Sequence, residues 1–372
     1  MKSAIFRRFM RATGPVSLLL ILMTVAIYGQ DPACAGEVRG TAIDALFTHF
    51  DESSQPGAAV MVIRDGKVVH ARGYGLADLE TGAPITPDTV FRLGSVSKMF
   101  TAMAIAILAD RGDLGLDDPA GEYVPALAHR PDITVRHLLT HTSGLPDYYD
   151  EFDASPWTQQ GRIPSNADTI AHLGRMEEVL FEPGERYEYS NPAYEVLSLI
   201  VEAVADLPFR DFMRDEVFAP AGMGHSVIHD DSRPRIAARA LGYSPDGDRY
   251  VLDDDDPLNG ITGSGSQFSP LMDFLAWDRA IASGSLLSEA MQSQVFTRAI
   301  LNDGSEIDYG FGWRLDEYRG HARTAHGGSW VGFRTAFTRY PGLGLTIMIL
   351  SNRSDYDPTE ASDRLADLFL GD

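Results

Sequence analysis

The chain has 372 residues, 44% of them hydrophobic and 23% charged, which are ordinary globular proportions with enough length for a large core. Its formal charge is −22, and because residues 1–35 carry four basic side chains against one acidic, the remainder holds −25. Such a surface repels phosphate backbones, excludes nucleic acid as a partner, and otherwise reads as a solubilising coat.

In chain order, Lys2, Arg7, Arg8 and Arg11 precede the apolar run 16–28, and the small residues Ala33-Cys34-Ala35 follow. A basic start, an apolar core and a small-residue cleavage site are the layout of a secretory signal peptide, so residues 1–35 are expected to direct export to a periplasmic or extracellular space. The apolar core is shorter than the ~20 residues of a spanning helix. Residues 12–30 are free of charge, so an uncleaved N-terminal anchor is the alternative and the only membrane tether the sequence offers. Cys34 is the single cysteine and would leave with the signal. The mature chain would then have no disulfide, no cysteine nucleophile and no cysteine-based metal site.

Residues 58–75 read as two strands around Asp65-Gly66, a strong hairpin signal. An apolar helix is expected from about Ser95 to Arg111, stopped by Gly112. A short helix within 133–147 closes on Gly144-Leu145-Pro146, and another helix runs over 191–207 with Pro192 in its first turn. Helices opened by Pro208 and Pro270 follow, and 249–260 reads as an acidic loop. Residues 331–352 read as two strands around Pro341-Gly342, and a final helix closes the chain. Strands thus cluster at both ends and helices in the middle. The pattern predicts an α+β fold: an antiparallel sheet built from both chain ends and flanked by helices, with an inserted, mostly helical lobe. The sheet lobe would take about 36–90 and 300–372 and the helical lobe about 95–300, with a ligand cleft between them.

Three clusters carry chemistry. Of 31 basic residues only Lys2, Lys67 and Lys98 are lysine. Lys98 stands three residues after Ser95 at the head of the apolar helix, a spacing that puts both on one face. A lysine whose pKa is lowered by burial can take a serine's proton, which an arginine cannot. Backbone N–H groups at a helix start can hold a developing oxyanion. The alternative is a Ser N-cap with a surface Lys. In the second cluster, Tyr189 can relay a proton and the Asn191 amide can bind a substrate carbonyl and hold the Lys, unless Asn191 is the cap of the next helix. In the third, His326-Gly327-Gly328 leads into a strand. Glycines there let a substrate backbone lie alongside, with the Ser329 N–H completing an oxyanion hole, unless this is a turn with a surface His. No complete G-x-S-x-G elbow or H-E-x-x-H zinc helix is present, and His137 and His141 read as packing residues and as polar residues supporting the site from behind.

Together S-x-x-K (Ser95, Lys98), Y-x-N (Tyr189, Asn191) and H-x-G (His326, Gly328), with 73–78, 91–102 and 138–148, resemble the motifs of the serine β-lactamase-like superfamily. The branch resembled holds class C β-lactamases, D-Ala-D-Ala carboxypeptidases, D-aminopeptidases and related esterases. The resemblance covers about 40–370 and implies one hydrolase domain over 36–372. It implies an acyl-enzyme on Ser95, with Lys98 and Tyr189 moving protons, Asn191, His326 and Gly328 at the substrate, and the Ser95 and Ser329 N–H groups on the oxyanion. It implies no metal or organic cofactor. The partner would be a small-molecule or peptide substrate. Two departures matter. His326 stands where class C enzymes carry a lysine. Asp147, Tyr148 and Tyr149 stand where those enzymes look to carry an amide. Both favour a peptidase or esterase over a class C-like β-lactamase. A catalytically silent relative that binds peptidoglycan-like peptides is the reading from another class.

Overall fold

Residues 58–63 show no polar side chain on either face of a strand, so a strand there needs cover on both sides. The computed structural model provides it. The structure describes residues 40–370 apart from 51–53, 150–151, 176–178 and 231–234. Residues 1–35, expected as a signal peptide, lie outside the described residues, Cys34 among them.

Strand β1 (Ala58–Arg64) turns through Asp65 and Gly66, with φ of +51° and +71°, into β2 (Lys67–Tyr74). Two left-handed residues are what a tight two-residue hairpin demands. The late strands are β3 (Arg314–Tyr318), β4 (His321–Trp330), β5 (Phe333–Tyr340) and β6 (Leu345–Ser351). The six form one antiparallel sheet in the order β3-β4-β5-β6-β1-β2. Val60 faces Ile349 and Ala58 faces Ser351, so the first strand completes its pairing only on the last.

The helices that bear on the site are α1 (40–46), α2 (Ser97–Arg111), α3 (Asn191–Ala205), α4 (Asp273–Ser283) and α5 (Pro358–Asp367). On one sheet face, Val60, Val62, Ile347 and Ile349 pack with Ile43, Phe47, Leu365 and Ala366 near the two chain ends. On the other, Ala59, Met61, Ile63 and Met348 join a larger core around α2. All residues from Ser97 to Leu108 are buried, as expected for a helix apolar on every side. Phe100 of α2 lies against Phe218, Phe274 and Trp277. Behind the sheet's end, buried Asn352 accepts from Gly57 N (2.8 Å) and donates to the carbonyls of Leu76 (3.1 Å) and Leu241 (2.9 Å), tying three segments together.

Several details differ from the sequence expectation. Val90–Arg92, Gln267–Pro270 and Val227–Ile228 form a small three-stranded sheet just before the Ser95 turn. The stretch expected as an acidic loop begins as a hairpin, Tyr243–Asp246 with Arg249–Leu252. Pro270 ends a strand rather than opening a helix. Helix α4, expected with the helical lobe, lies on the sheet. Its Phe274 ring is 5.4 Å from that of Phe337, and Asp278 accepts from Arg339 (2.8 Å) and Thr346 (2.7 Å). No helix among the described residues is long and apolar enough to cross a membrane.

Candidate active site

The chain reaches the site through a strand and a forced turn. Leu93 N donates to Gln267 O (2.9 Å), and Gly94 then adopts φ +53°, a left-handed conformation that suits glycine. A short 3₁₀ turn over Gly94–Val96 carries Ser95, and α2 begins at Ser97. Ser95 therefore sits on the turn before the helix rather than in it.

Lys98 points inward and is fully buried. Its Nζ lies 3.3 Å from Ser95 Oγ, 2.8 Å from Asn191 Oδ1 and 3.1 Å from the Ser264 carbonyl. The Nζ is 4.7 Å from the centre of the Tyr189 ring. Burial brings its pKa down to about 7, against the pull of Glu195 and Asp147 toward the charged form. An amine that is largely protonated on a surface is here about half neutral at pH 7.

Tyr189 keeps 37% of its surface exposed, yet its hydroxyl is desolvated enough to push the phenol's pKa up. A hydrogen bond with Ser95 opposes that shift, as expected when the Ser hydroxyl donates to the phenol oxygen. Asn191 is not the helix cap. Ser190 fills that role, its Oγ accepting from Ala193 N (3.3 Å), which leaves the Asn191 amide to Lys98 on one side and Asp147 Oδ2 (3.0 Å) on the other.

Strands β4 and β5 are both held against the Ser95 turn, β5 through Thr335 and β4 through Gly328. Thr335 Oγ1 donates to Leu93 O (2.6 Å), and a Cβ on Gly328 would fall 2.0 Å from that same oxygen. A Cβ on Gly94 would fall 2.8 Å from Ser329 N. The backbone approach expected at Gly328 is therefore real, but the neighbour is the protein's own turn. The approach sets the Ser329 N–H beside Ser95.

Ser95, Tyr189, Asn191 and Ser329 share a pocket of about 200 Å³ with Arg92, Tyr149, Ser264 and Trp330. His326 lies in an adjoining cavity of about 560 Å³, and Tyr189 stands in the wall of both. His326 belongs to β4 itself and not to a turn before it. Its Nδ1 is 2.6 Å from Gly327 O, and its Nε2 is 3.0 Å from Tyr309 OH. A carbonyl can only accept, so Nδ1 carries the proton and Nε2 accepts from the tyrosine. Burial, with Lys98 nearby, drives the His326 pKa down to about 3. It is uncharged throughout the neutral range.

Sequence reasoning missed two participants, Tyr309 and Glu195, and read His141 only as a packing and supporting polar residue. His141, with φ +58°, accepts from Ser190 N at Nδ1 (3.1 Å), so its Nε2–H is left to donate to Tyr309 OH (3.2 Å). His141, Tyr309 and His326 thus form one chain in which every proton has a fixed direction. His137 instead closes the cap of a short helix with Thr134. The second missed residue is Glu195, fully buried on α3, which accepts from the hydroxyls of Tyr148 and Tyr149, the latter at 2.8 Å. Burial raises its pKa to about 7. A charged residue inside the apolar stretch 192–201 was the available signal.

Comparison with known proteins shows the family. The Beta-lactamase family model matches residues 43–372. The chain is 34% identical over 328 residues to Penicillin-binding protein 4* of Bacillus subtilis (strain 168), covering 84% of this chain and 72% of that protein. It is 31% identical over 297 residues to the D-aminopeptidase of Brucella anthropi, covering 79% of this chain but only 56% of that one. Among solved structures, the octameric penicillin-binding protein homologue from Pyrococcus abyssi superposes with a TM-score of 0.76 at 28% identity, covering 90% of this chain and 77% of that one. The chain therefore belongs to the Beta-lactamase family and is a serine hydrolase of that superfamily.

Proposed function

We propose that the protein is an exported hydrolase that cleaves a D-amino-acid amide or peptide, or a small ester, through an acyl-enzyme on Ser95. The observation that carries this reading is the buried amine of Lys98, 3.3 Å from Ser95 Oγ and brought to a pKa of about 7. As Ser95 Oγ attacks the carbonyl carbon, its proton passes to the neutral Lys98 amine. The Ser95 and Ser329 N–H groups hold the oxyanion. Collapse breaks the bond to the leaving group, which takes a proton from the Tyr189 phenol as Lys98 returns one to it. Water then attacks the acyl carbonyl, gives its proton to the same pair, and Ser95 leaves as the hydroxyl.

The charges around Ser95 support an amine-bearing acyl group over a β-lactam. His326 offers no positive charge to a drug carboxylate. Asp147 is exposed and held against Asn191, a carboxylate placed to attract a substrate ammonium. The relative D-aminopeptidase points the same way. Export is supported by the layout of residues 1–35.

The test is a panel of D-aminoacyl anilides, p-nitrophenyl esters and a chromogenic cephalosporin, run on wild type, Ser95→Ala and Asp147→Asn. We expect Ser95→Ala to abolish turnover. Asp147→Asn should raise KM about tenfold for amine-bearing substrates, the scale of one charge-assisted contact, and leave neutral esters unchanged. Turnover that survives Ser95→Ala refutes the mechanism. Faster cleavage of the cephalosporin than of any D-aminoacyl substrate makes the protein a β-lactamase instead.

A further inference from the structure

The mechanism leaves one buried titratable group unused. Glu195 lies one helical turn beyond Asn191, on the same side of α3, so its carboxylate enters the same region as the Asn191 amide. Neither Glu195 nor Lys98 is exposed at all. The carboxylate is held by hydroxyls: Tyr148, Tyr149 at 2.8 Å, and Ser264 Oγ at 3.5 Å. Tyr149 OH is also 3.1 Å from Ser264 Oγ, and the Ser264 carbonyl accepts from Lys98 Nζ. Ser264 therefore touches the acid through its side chain and the base through its backbone. Tyr149 and Ser264 both wall the Ser95 pocket.

We propose that Glu195 is a positioning residue that sets the protonation of Lys98, the two forming one buried acid–base unit bridged by Ser264 and Tyr149. This rests on the reading of Ser95 as nucleophile and Lys98 as its base. When Ser95 gives up its proton, Lys98 becomes an ammonium in a place that water does not reach. A carboxylate in the same dry region favours that ammonium and so favours the step that creates it. When Lys98 is neutral, Glu195 loses the cation that favours its own ionised form, and its proton affinity rises.

The other charges around the pair do not duplicate this role. Asp147 also attracts a proton to Lys98, but its effect is the smaller of the two and it is exposed. His141 and His326 face Lys98, and burial together with that lysine holds both neutral. Tyr189 and Tyr194 present their rings to the Nζ, at 4.7 and 5.6 Å, and burial keeps both phenols protonated. Tyr148 and Tyr149 are likewise kept protonated, and both donate to Glu195.

The experiment follows Ser95 phosphonylation by a fluorophosphonate, in which Oγ bonds to phosphorus and fluoride leaves, as a function of pH, read by intact mass, in wild type, Glu195→Gln, Glu195→Asp and Ser95→Ala. Gln keeps the shape and one acceptor oxygen; the tyrosine that meets its NH2 must turn its hydroxyl to accept, and the charge is lost. Glu195→Gln is expected to move the acid limb of the phosphonylation rate down by about one pH unit or more, the effect of losing an opposite charge nearby. It should also lower the plateau, because a weaker base removes the proton less well. Glu195→Asp keeps the charge and should keep the limb near the wild-type position. Thermal melting of each variant reports that it is folded. A limb that Gln leaves in place, or that Gln and Asp move equally, overturns the proposal while Ser95 chemistry stands. No Ser95-dependent label in wild type overturns the underlying reading instead.

Discussion

Gly328 and Gly327 are neighbours on β4 and make a paired test of how the sheet aligns the site. A Cβ at Gly328 would lie 2.0 Å from Leu93 O and 2.3 Å from Thr335 Oγ1. A Cβ at Gly327 would meet nothing closer than Thr335 O at 3.7 Å and Thr359 Oγ1 at 3.8 Å, ordinary contact. Since a carbon and an oxygen settle at ~3.2 Å or more, Gly328→Ala must push β4 from the Ser95 turn by roughly 1 Å. Overpacking of this kind costs about 1–3 kcal/mol, or a few degrees in Tm for a chain of this size. The larger effect falls on chemistry. The Ser329 N–H travels with the strand, and withdrawing one oxyanion donor costs about 10²–10³ in rate. Gly327→Ala should change the rate less than about twofold and stability by about 0.5 kcal/mol, the scale of an unremarkable substitution. The assay is the second-order rate of Ser95 labelling by a fluorophosphonate, with Tm alongside. Wild-type labelling in Gly328→Ala, or equal losses in both variants, refutes the claim that this backbone contact places the oxyanion donor.

Two further outcomes follow from the buried lysine and one from the buried asparagine. The Lys98 pKa is lowered to about 7, so the neutral base increases as pH rises. Acylation should climb about tenfold per pH unit below 7 and level off above it, and Lys98→Arg should lose at least ~10³ because a guanidinium stays charged. The same shift costs stability: an unfolded lysine holds its proton to about pH 10.5, the folded one only to about 7. Lys98→Met should therefore be inactive but more stable by about 1–3 kcal/mol after the lost hydrogen bonds are counted. Calorimetry should find the gain fully present below pH 7 and shrinking toward pH 10. Asn352→Ala removes a donor and an acceptor that hold three segments, and should cost about 2–4 kcal/mol in denaturant titration.

The parts that were legible in the sequence have strong local causes. Asp65-Gly66 between two strand-like runs marks its own hairpin, and an apolar stretch ending at Arg111-Gly112 marks α2. Ser95 and Lys98 stood out because a lysine is rare here and the spacing fits one face. Val90–Arg92 and Val227–Ile228 did not stand out. Strands of two or three residues have no periodicity to read and exist only through their partner Gln267–Pro270. The His141–Tyr309–His326 chain joins residues up to 168 positions apart, which only the finished fold brings together. Glu195 lies on a helix, where an acidic residue normally marks the solvent side, and its neighbours in space, Tyr148 and Tyr149, come from a distant loop. Even an ordinary imidazole would leave His326 mostly neutral at pH 7. Its burial and two hydrogen bonds make that neutrality far more secure.

The pairing of β1 with β6 sets a waiting time on the ribosome. The Gly57 amide meets the Asn352 side chain 295 residues later, which at ~5–20 residues per second takes on the order of 15–60 s to synthesise. Throughout that interval β1 has no mate along one edge, and the face that later packs against Leu365 and Ala366 lacks those partners. A growing chain of this design must be kept from its neighbours by some outside handler. A product cut short before residue 345 has every group of the S-x-x-K turn and no finished wall to hold it.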